Sequence, residues 1–173
     1  MDLKLTGKTA LVLASSSGLG RGVAMELARE GVRVVLFSTH EDKLRAAQKR
    51  IADETGHEPA YVVGSADKTE DLKCAVEHAL SRFGALDVLV TNAPGPKGGA
   101  FQSLTETDWD SAYRLSLKAH VDAIRLALPH MQKKGGGRIL CITSSSIKQA
   151  IDNLMLSNAF RLAVVGMVKT FFK

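Results

Sequence analysis

The 173-residue sequence predicts an α/β fold, a doubly wound parallel sheet that lies between two layers of helices. Short runs of apolar and β-branched residues alternate with longer amphipathic stretches along the chain, which indicates strands that are followed by helices. The strand runs are apolar at nearly every position, as expected for strands covered on both faces. No linker, repeat or low-complexity tract interrupts this alternation, so we expect one domain over residues 1–173.

Five strands and five helices are predicted in regular alternation, which gives three layers in the order helix, sheet, helix. The predicted strands are Thr9–Leu13, Val32–Phe37, Ala60–Val63, Asp87–Thr91 and Arg138–Thr143. The predicted helices are Leu19–Glu30, Glu41–Glu54, Thr69–Phe83, Thr105–Lys134 and Asn153–Phe171.

Several helix ends carry their own signals. Glycine adopts the left-handed conformation that commonly ends a helix, and four predicted helices stop at a glycine just before the next strand. Thr105 and Asp108 stand at the spacing of a capping box, which predicts the start of the fourth helix. The four glycines are Gly31, Gly56, Gly84 and Gly135.

The composition, 45% hydrophobic and 24% charged, is that of an ordinary globular domain. A net charge of +5 raises nucleic acid as a partner, and the basic excess falls in the second half of the chain. From Ala123 onward Asp152 is the only acid, but the basic residues are scattered among apolar positions without interleaved aromatic residues. This pattern disfavours nucleic-acid binding.

Cys74 and Cys141 lie far apart, and the histidines stand singly, so no metal site is expected. The first residues lack the apolar segment of a secretory signal, and no apolar run approaches the roughly 18 residues that cross a bilayer. We therefore expect a reduced, cytoplasmic protein without a membrane segment.

The turn after the first predicted strand carries the clearest functional signal. Residues 14–22 read Ala-Ser-Ser-Ser-Gly-Leu-Gly-Arg-Gly and lead directly into a helix. Small residues let the backbone approach a pyrophosphate, and the free N–H groups at a helix start favour an anion. The pattern predicts a Rossmann-like nucleotide site, the alternative being a tight strand-to-helix turn without a ligand.

Further motifs accompany this turn. Asp67 stands in Ala-Asp-Lys-Thr, and Thr91–Pro94 reads Thr-Asn-Ala-Pro. With Leu13–Gly20 and the later segments Thr107–Asp110 and Arg138–Ser146, the chain resembles the short-chain dehydrogenase/reductase family, particularly β-ketoacyl-carrier-protein reductases. The resemblance covers nearly the whole chain and implies an NAD(P)-binding domain.

The resemblance also implies a cofactor site, with Gly18, Leu19 and Gly20 near the phosphates, Asp67 near the adenine and Asn92 near the adenosine ribose. Ala14 replaces the first glycine of the family's turn, while Thr91 and Pro94 replace the first and last residues of its Asn-Asn-Ala-Gly motif. The expected cofactor-binding residues are Ala14, Ser16, Ser17, Gly18, Leu19, Gly20, Ser38, Thr39, Asp67, Asn92 and Ala93.

The end of the second predicted strand favours NADP(H) over NAD(H). An acid at this point holds the ribose hydroxyls of NAD and repels the 2′-phosphate of NADP. Ser38, Thr39 and His40 stand here, and the first carboxylate is that of Glu41. His40 is either a contact to the phosphate or an exposed turn residue.

The family's catalytic groups are a Ser, a Tyr followed four residues later by a Lys, and an Asn on an earlier helix. The resemblance places Ser144 at the Ser, Ser157 at the Tyr, Arg161 at the Lys and Ser116 at the Asn, so one of the four is kept. A serine hydroxyl is a far weaker acid than a tyrosine, and an arginine cannot act as a base.

Other roles remain open for residues near these positions. Arg161 is either a ligand of ribose hydroxyls, a carboxylate or a phosphate, or an arginine on the surface of its helix. Lys148, after the fifth strand, and Tyr113, one helical turn before Ser116, are further candidates for the missing chemistry.

The first functional hypothesis is an oxidoreductase that uses NADP(H) to reduce the carbonyl of a 3-oxoacyl compound or a small ketone, with Ser144 orienting the carbonyl. The second is a dinucleotide-binding or interaction protein of the same fold that has lost hydride transfer, and the third is a truncated, inactive product.

The resemblance implies a homo-oligomer, dimer or tetramer, because family members pair two helices across an axis. Leu117, Val121, Ile124 and Leu128 form a helical stripe that fits either this pairing or the core. It also implies two strand units and a substrate loop beyond Thr170–Lys173. A five-stranded sheet is then expected to leave an apolar edge open and to associate or be poorly stable.

Overall fold

The computed structural model describes residues 3–171 and contains the predicted alternation of strands and helices. The residues Met1, Asp2 and Lys173, which entered the sequence arguments on the leader and on charge, lie outside the described part, as does Phe172. The strands are β1 (Thr9–Leu13), β2 (Arg33–Ser38), β3 (Ala60–Val63), β4 (Val88–Thr91) and β5 (Arg138–Cys141). The helices are α1 (Gly18–Arg29), α2 (Glu41–Thr55), α3 (Thr69–Phe83), α4 (Glu106–Tyr113), α5 (Ala119–Lys133) and α6 (Met155–Phe171).

The five strands form one parallel sheet in the order β3-β2-β1-β4-β5, which confirms the predicted fold class. β1 is the central strand, and its Val12 lies opposite Leu36 of β2 and Val90 of β4. The strand order reverses between β1 and β4. In open α/β sheets this switch point opens a crevice at the carboxyl edge, where ligands bind.

Each face of the sheet has its own apolar core. Leu11 and Leu13 of β1 pack on the side of α3 and α5, whereas Ala10 and Val12 pack on the side of α1 and α2. All five residues of β1 are buried. Burial on both faces explains why the strand sequences are apolar throughout instead of alternating.

β5 is an edge strand with one covered and one open face. Ile139 and Cys141 pack against the core on the α5 side, while Leu140 on the opposite face is 52% exposed. In the described part of the chain, Leu140 is thus an exposed apolar residue on an edge strand. β5 ends at Cys141 and not at Thr143, because β4 ends at Thr91 and offers no ladder beyond it.

The predicted single helix over Thr105–Lys134 was wrong in its interior. It consists of α4, a π-helical segment over Arg114–Lys118 and α5. A π turn contains one extra residue, and the apolar period of a sequence does not resolve such a local insertion. The predicted capping box is confirmed, since Thr105 accepts from the Asp108 N–H and the Asp108 carboxylate accepts from the Thr105 N–H.

The remaining boundaries shift by one or two residues. Asn153 has a φ of 59°, a left-handed conformation outside a helix, so α6 begins at Met155. The four glycines expected after helices all have positive φ, between 75° and 91°, which confirms their role at the helix ends.

Asp87 joins three strands at the amino edge of the sheet. Its carboxylate accepts from the Thr9 N–H at 2.9 Å and from the Lys134 ammonium, and its backbone carbonyl accepts from the Arg138 N–H at 2.8 Å. Burial opposes ionisation, but the hydrogen bonds from Lys134 and Thr9 together hold the pKa of Asp87 below its ordinary value. The ionised carboxylate thus stabilises the start of β1 and the approach to β5.

We predict that Asp87→Asn lowers the free energy of unfolding by about 1 to 3 kcal/mol at pH 7, because the Asn side chain loses the anion that faces Lys134. A carboxylate with a depressed folded pKa stabilises the fold above its unfolded pKa of about 3.9 and loses this effect as the pH falls. The difference between wild type and variant, measured by urea unfolding, should therefore shrink from pH 7 to pH 3.

The matched control is Asp53→Asn, which removes an exposed pair with Lys49 and should change the free energy of unfolding by less than about 0.5 kcal/mol. An Asp87→Asn deficit that is as large at pH 3 as at pH 7 would contradict the assigned role.

Candidate functional site

The candidate site lies at the carboxyl edge, where the segments after β1, β2, β3, β4 and β5 come together. The turn after β1 spans residues 14–17, and the long loop after β4 spans residues 92–100. The segment after β5 contains a single turn of 3-10 helix at Ser145–Ile147. This edge is the position that the strand order predicts for a ligand.

Ser15 fixes the start of the turn and was not singled out from the sequence. Its hydroxyl donates to the Val12 carbonyl at 2.8 Å and accepts from the Phe37 N–H at 2.9 Å. Its own N–H donates to the Phe37 carbonyl at 3.1 Å. Ser15 is fully buried and continues the bonding of β1 to β2 beyond the ladder, so the turn leaves the sheet from a fixed point.

Ala14 and Gly20 set the shape of the turn. Ala14 has a φ of 48°, a left-handed conformation that costs a residue with a Cβ about 1 to 2 kcal/mol. Gly20 lies so close that a Cβ built on it would stand 2.4 Å from the Ala14 carbonyl oxygen. The turn therefore tolerates alanine at position 14 and requires glycine at position 20.

The start of α1 is suited to an anion. Gly18 has a φ of 56°, which turns the chain into the helix. In the described part of the chain the Ser17 side chain makes no capping hydrogen bond, and no acid stands in the first turn of α1. The first N–H groups and the positive end of the helix dipole thus face outward at an exposed turn.

The end of β2 presents hydroxyl groups to the same turn. Ser38 Oγ lies 2.9 Å from Ser16 Oγ, and Thr39 Oγ1 lies 2.8 Å from His40 Nδ1. Glu41, the first acid after β2, is paired with Arg45 of the next helical turn, whose hydrogen bond lowers the pKa of Glu41. Between the end of β2 and Glu41, residues 39–40, no side chain carries a carboxylate.

Three further predicted residues lie along the same edge. Asp67 is exposed and accepts a hydrogen bond from the Ser65 hydroxyl. Asn92 is half-buried, and Ala93 is buried with its carbonyl bonded to Arg161. The bare helix start, the forced close approach at Gly20 and the hydroxyl groups at β2 together fit a phosphate-bearing dinucleotide.

Of the four expected catalytic residues, two are buried and two are half-buried. Ser144 is half-buried, and its Oγ accepts from the Ser146 N–H at 3.1 Å as the N-cap of the 3-10 turn. Ser157 is half-buried in α6. Ser116 is fully buried in the π segment, and its Oγ finds no hydrogen-bond partner within residues 3–171.

Arg161 does not lie on the helix surface, so that alternative was wrong. It is 5% exposed, and burial lowers the pKa of its guanidinium. Nη1 donates to the Ile142 carbonyl at 3.2 Å and Nη2 donates to the Ala93 carbonyl at 3.1 Å. These two carbonyls lie just beyond β5 and β4.

His120 is a buried residue whose role the sequence did not reveal. It is 1% exposed, and its Nδ1 lies 2.7 Å from Thr91 Oγ1. Burial, assisted by the charge of Arg161, lowers the pKa of His120 to about 4, so the ring is neutral at pH 7. A histidine inside an otherwise apolar helical stripe was the only signal in the sequence.

The two substitute candidates have less central positions. Tyr113 is exposed and packs on Phe160 with ring centroids 6.3 Å apart, and Lys148 is exposed at the end of the 3-10 turn. The loop after β4 is tied to the segment before α6, because the Gly99 N–H donates to the Asn153 carbonyl at 2.6 Å.

We predict that Gly20→Ala lowers the free energy of unfolding by about 1 to 3 kcal/mol, because the new Cβ must displace the Ala14 carbonyl. The displaced turn should also lose its anion site. Gly22→Ala is the matched control on the same helix, since a Cβ there meets nothing within 4 Å, and it should stabilise the protein by about 0.5 to 1 kcal/mol. Thermal unfolding of both variants checks this, and equal effects would contradict the steric account.

The described residues contain neither a helix suited to spanning a bilayer nor a cluster of side chains suited to a metal ion. Between residues 3 and 171 no helix is long and apolar enough to cross a membrane. The same residues contain no group of three or more His, Cys, Asp or Glu side chains that could hold a metal ion.

Comparison with known proteins gives consistent matches. The 3-oxoacyl-acyl-carrier-protein reductase FabG of Staphylococcus epidermidis is 32% identical over 166 residues, which cover 94% of this chain and 67% of that protein. Dehydrogenase/reductase SDR family member 4 of Oryctolagus cuniculus is 31% identical over 166 residues, which cover 95% of this chain and 64% of that protein. The chain spans 59 to 65% of the length of its first curated relatives.

Solved structures share the fold closely. L-sorbose reductase from Gluconobacter frateurii, complexed with NADPH and L-sorbose, superposes with a TM-score of 0.94 at 29% identity. The match covers 99% of this chain and 65% of the reductase chain. The actinorhodin polyketide ketoreductase variant F189W with NADPH gives a TM-score of 0.90 at 30% identity, and the match covers 95% of this chain and 63% of the ketoreductase chain. The family profile described as short chain dehydrogenase matches residues 8–173, and the chain belongs to the short-chain dehydrogenase/reductase family.

Proposed function

We propose that the protein is an oxidoreductase that uses NADP(H) to reduce the carbonyl group of a 3-oxoacyl compound or a small ketone. The observation that carries the proposal is the turn after β1, where the close approach of Gly20 to Ala14 and the uncapped start of α1 suit a pyrophosphate. The reductase relatives and their NADPH complexes support the same chemistry.

The choice of NADP(H) over NAD(H) rests on the end of β2. Ser16, Ser38 and Thr39 offer hydroxyl groups, and His40 adds an imidazole, where a carboxylate would hold the ribose of NAD. The nearest acid, Glu41, is paired with Arg45. The 2′-phosphate of NADP(H) would therefore meet hydrogen-bond donors without repulsion.

The remaining predicted cofactor residues extend this site along the edge. We assign Ala14, Ser17, Gly18, Leu19 and Gly20 to the pyrophosphate. Asp67 would face the adenine, and Asn92 with Ala93 would face the adenosine ribose.

The reaction adds a hydride to the carbonyl carbon and a proton to the carbonyl oxygen. When bound, NADPH supplies the hydride. Ser144, whose Oγ already accepts from the Ser146 N–H, has its own proton free to donate to the substrate carbonyl. Ser157, at the tyrosine position, would pass the proton from solvent, because an isolated serine hydroxyl is too weak an acid to supply it alone.

A second candidate function is dinucleotide binding without hydride transfer. The burial of Ser116 and Arg161 favours it, because neither side chain is exposed where a catalytic group would meet the substrate. In that case the protein acts by binding the dinucleotide or by association, and its site retains cofactor binding without the family's catalytic groups.

We propose in addition that the protein forms a homo-oligomer. Phe101, Trp109, Tyr113 and Phe160 form a continuous aromatic cluster over α4 and α6, and Phe101 is 62% exposed. An exposed cluster of this kind is typical of an association surface. Light scattering after size exclusion measures the state directly.

We predict that Ser38→Asp weakens NADPH binding at least about tenfold and improves NADH binding, because the new carboxylate repels the 2′-phosphate and accepts from ribose hydroxyls. Ser38→Asn is the matched control, since it has the same shape without the charge and should leave the ratio of the two dissociation constants close to wild type. Fluorescence titration with both cofactors measures the ratio. An unchanged ratio in Ser38→Asp would place the 2′-phosphate elsewhere.

We predict that the wild type consumes NADPH with at least one member of a panel of 3-oxoacyl thioesters and small ketones. Ser144→Ala should lower kcat by about a hundredfold at an unchanged dissociation constant for NADPH, because it removes only the donor to the carbonyl. Absorbance of NADPH follows turnover. Binding without turnover selects the second candidate function, and absence of NADPH binding excludes both.

A further inference from the structure

Arg161 uses both of its terminal nitrogens on backbone. Nη1 donates to the Ile142 carbonyl, just past the end of β5, and Nη2 donates to the Ala93 carbonyl, just past the end of β4. Within residues 3–171 no carboxylate pairs with this buried guanidinium. A buried charge without an acid needs polar partners, and the two carbonyl oxygens provide them for Nη1 and Nη2, whereas Nε has no hydrogen-bond partner among the described residues.

Thr91 and His120 join the same two strands from the other side. The Thr91 hydroxyl donates to the Leu140 carbonyl of β5 at 3.3 Å, and its Oγ1 lies 2.7 Å from Nδ1 of His120. With Nδ1 as the donor, Nε2 of the neutral ring is left as an acceptor. The segment where β4 passes into its loop is thus held by α5 through His120 and by α6 through Arg161.

The held segments carry the residues that the proposed function needs. Asn92 lies between Thr91 and Ala93, and Ser144 follows Ile142 by two residues. A shift of one strand end relative to the other would move the proposed ribose contact, Asn92, away from the proposed carbonyl donor, Ser144. Their relative position therefore depends on the hydrogen bonds of Thr91 and Arg161.

We propose that Thr91, His120 and Arg161 form one brace across the carboxyl ends of β4 and β5, and that Arg161 is a positioning residue and not a ligand of the cofactor. The inference deepens the proposed function, on which it rests for the roles of Asn92 and Ser144. It also makes two departures from the family pattern, Thr91 and Arg161, parts of one arrangement. A lysine at position 161 has one nitrogen and cannot copy the planar fork that reaches two carbonyls.

The test compares Arg161→Lys and Arg161→Met in the full chain. For a brace, both variants lower the thermal midpoint, and both weaken NADPH binding about tenfold or more, with a similar loss for lysine and methionine. For a ligand of the ribose, lysine keeps NADPH affinity and turnover while methionine loses them. Retention of affinity in Arg161→Lys at an unchanged midpoint overturns the proposal.

Ile51→Val is the control for general destabilisation. Ile51 is fully buried in α2, in the core on the other face of the sheet. Its substitution should lower the midpoint and leave the dissociation constant of NADPH unchanged. A loss of affinity in Ile51→Val equal to that in Arg161→Lys would show that affinity merely follows stability and would overturn the brace.

Amide hydrogen exchange without cofactor separates this inference from the proposed function. In Arg161→Met and in the milder Thr91→Val, the amides of residues 91–93 and 140–144 should exchange faster than in wild type, whereas those of β2 should not. Thr91→Val keeps the test open should the Arg161 variants not fold. Unchanged exchange at both strand ends overturns the brace even if NADPH binds, and faster exchange supports it even if NADPH does not bind.

Discussion

The central strand β1 is buried along its whole length, between two strands and two layers of helices, and the rest of the site depends on this constraint. A strand so enclosed cannot shift its register without moving apolar side chains into the wrong core. Ser15 continues the constraint past the strand by bonding to Phe37. The turn at Ala14 and the close contact of Gly20 with the Ala14 carbonyl therefore have fixed positions. The free N–H groups at the start of α1 are held in a fixed direction as a result.

The strand ends are joined by different kinds of polar groups at the amino edge and at the carboxyl edge of the sheet. At the amino edge the ionised carboxylate of Asp87 joins the starts of β1 and β4 and holds Lys134, at the end of α5 and ahead of β5. At the carboxyl edge an uncompensated guanidinium and a neutral histidine join the ends of β4 and β5. β5 is an edge strand with an open face, so contacts at both of its ends replace the packing that a central strand obtains from its neighbours.

The cofactor half and the catalytic half of the site differ in character. The proposed cofactor half consists mainly of backbone groups and small hydroxyls; Ser17, Gly18 and Leu19 are exposed there, and the first turn of α1 contains no acid. Of the four residues at the positions proposed to be catalytic, Ser116 and Arg161 are buried, and Ser144 and Ser157 are half-buried. Buried polar groups in a low dielectric hold geometry well but exchange protons with solvent poorly, so Ser116 and Arg161 are suited to holding the fold in place and not to transferring protons.

The sequence by itself determined the α/β class, the alternation of strands and helices, the glycines at the helix ends and the turn after β1. These features depend on apolar periodicity and on local conformational preferences. It also identified the family through motifs that are each short and local. The π segment at Arg114–Lys118, the link from Ser15 to Phe37, the contact of His120 with Thr91 and the inward position of Arg161 were decided only by the tertiary structure. Each of these depends on partners that are distant in the chain or on one extra residue in a helix, and neither leaves a periodic trace in the sequence. Arg161 shows the difference most clearly: its position in a helix followed from the sequence, but the two carbonyls that accept its hydrogen bonds lie 19 and 68 residues away, just beyond β5 and β4.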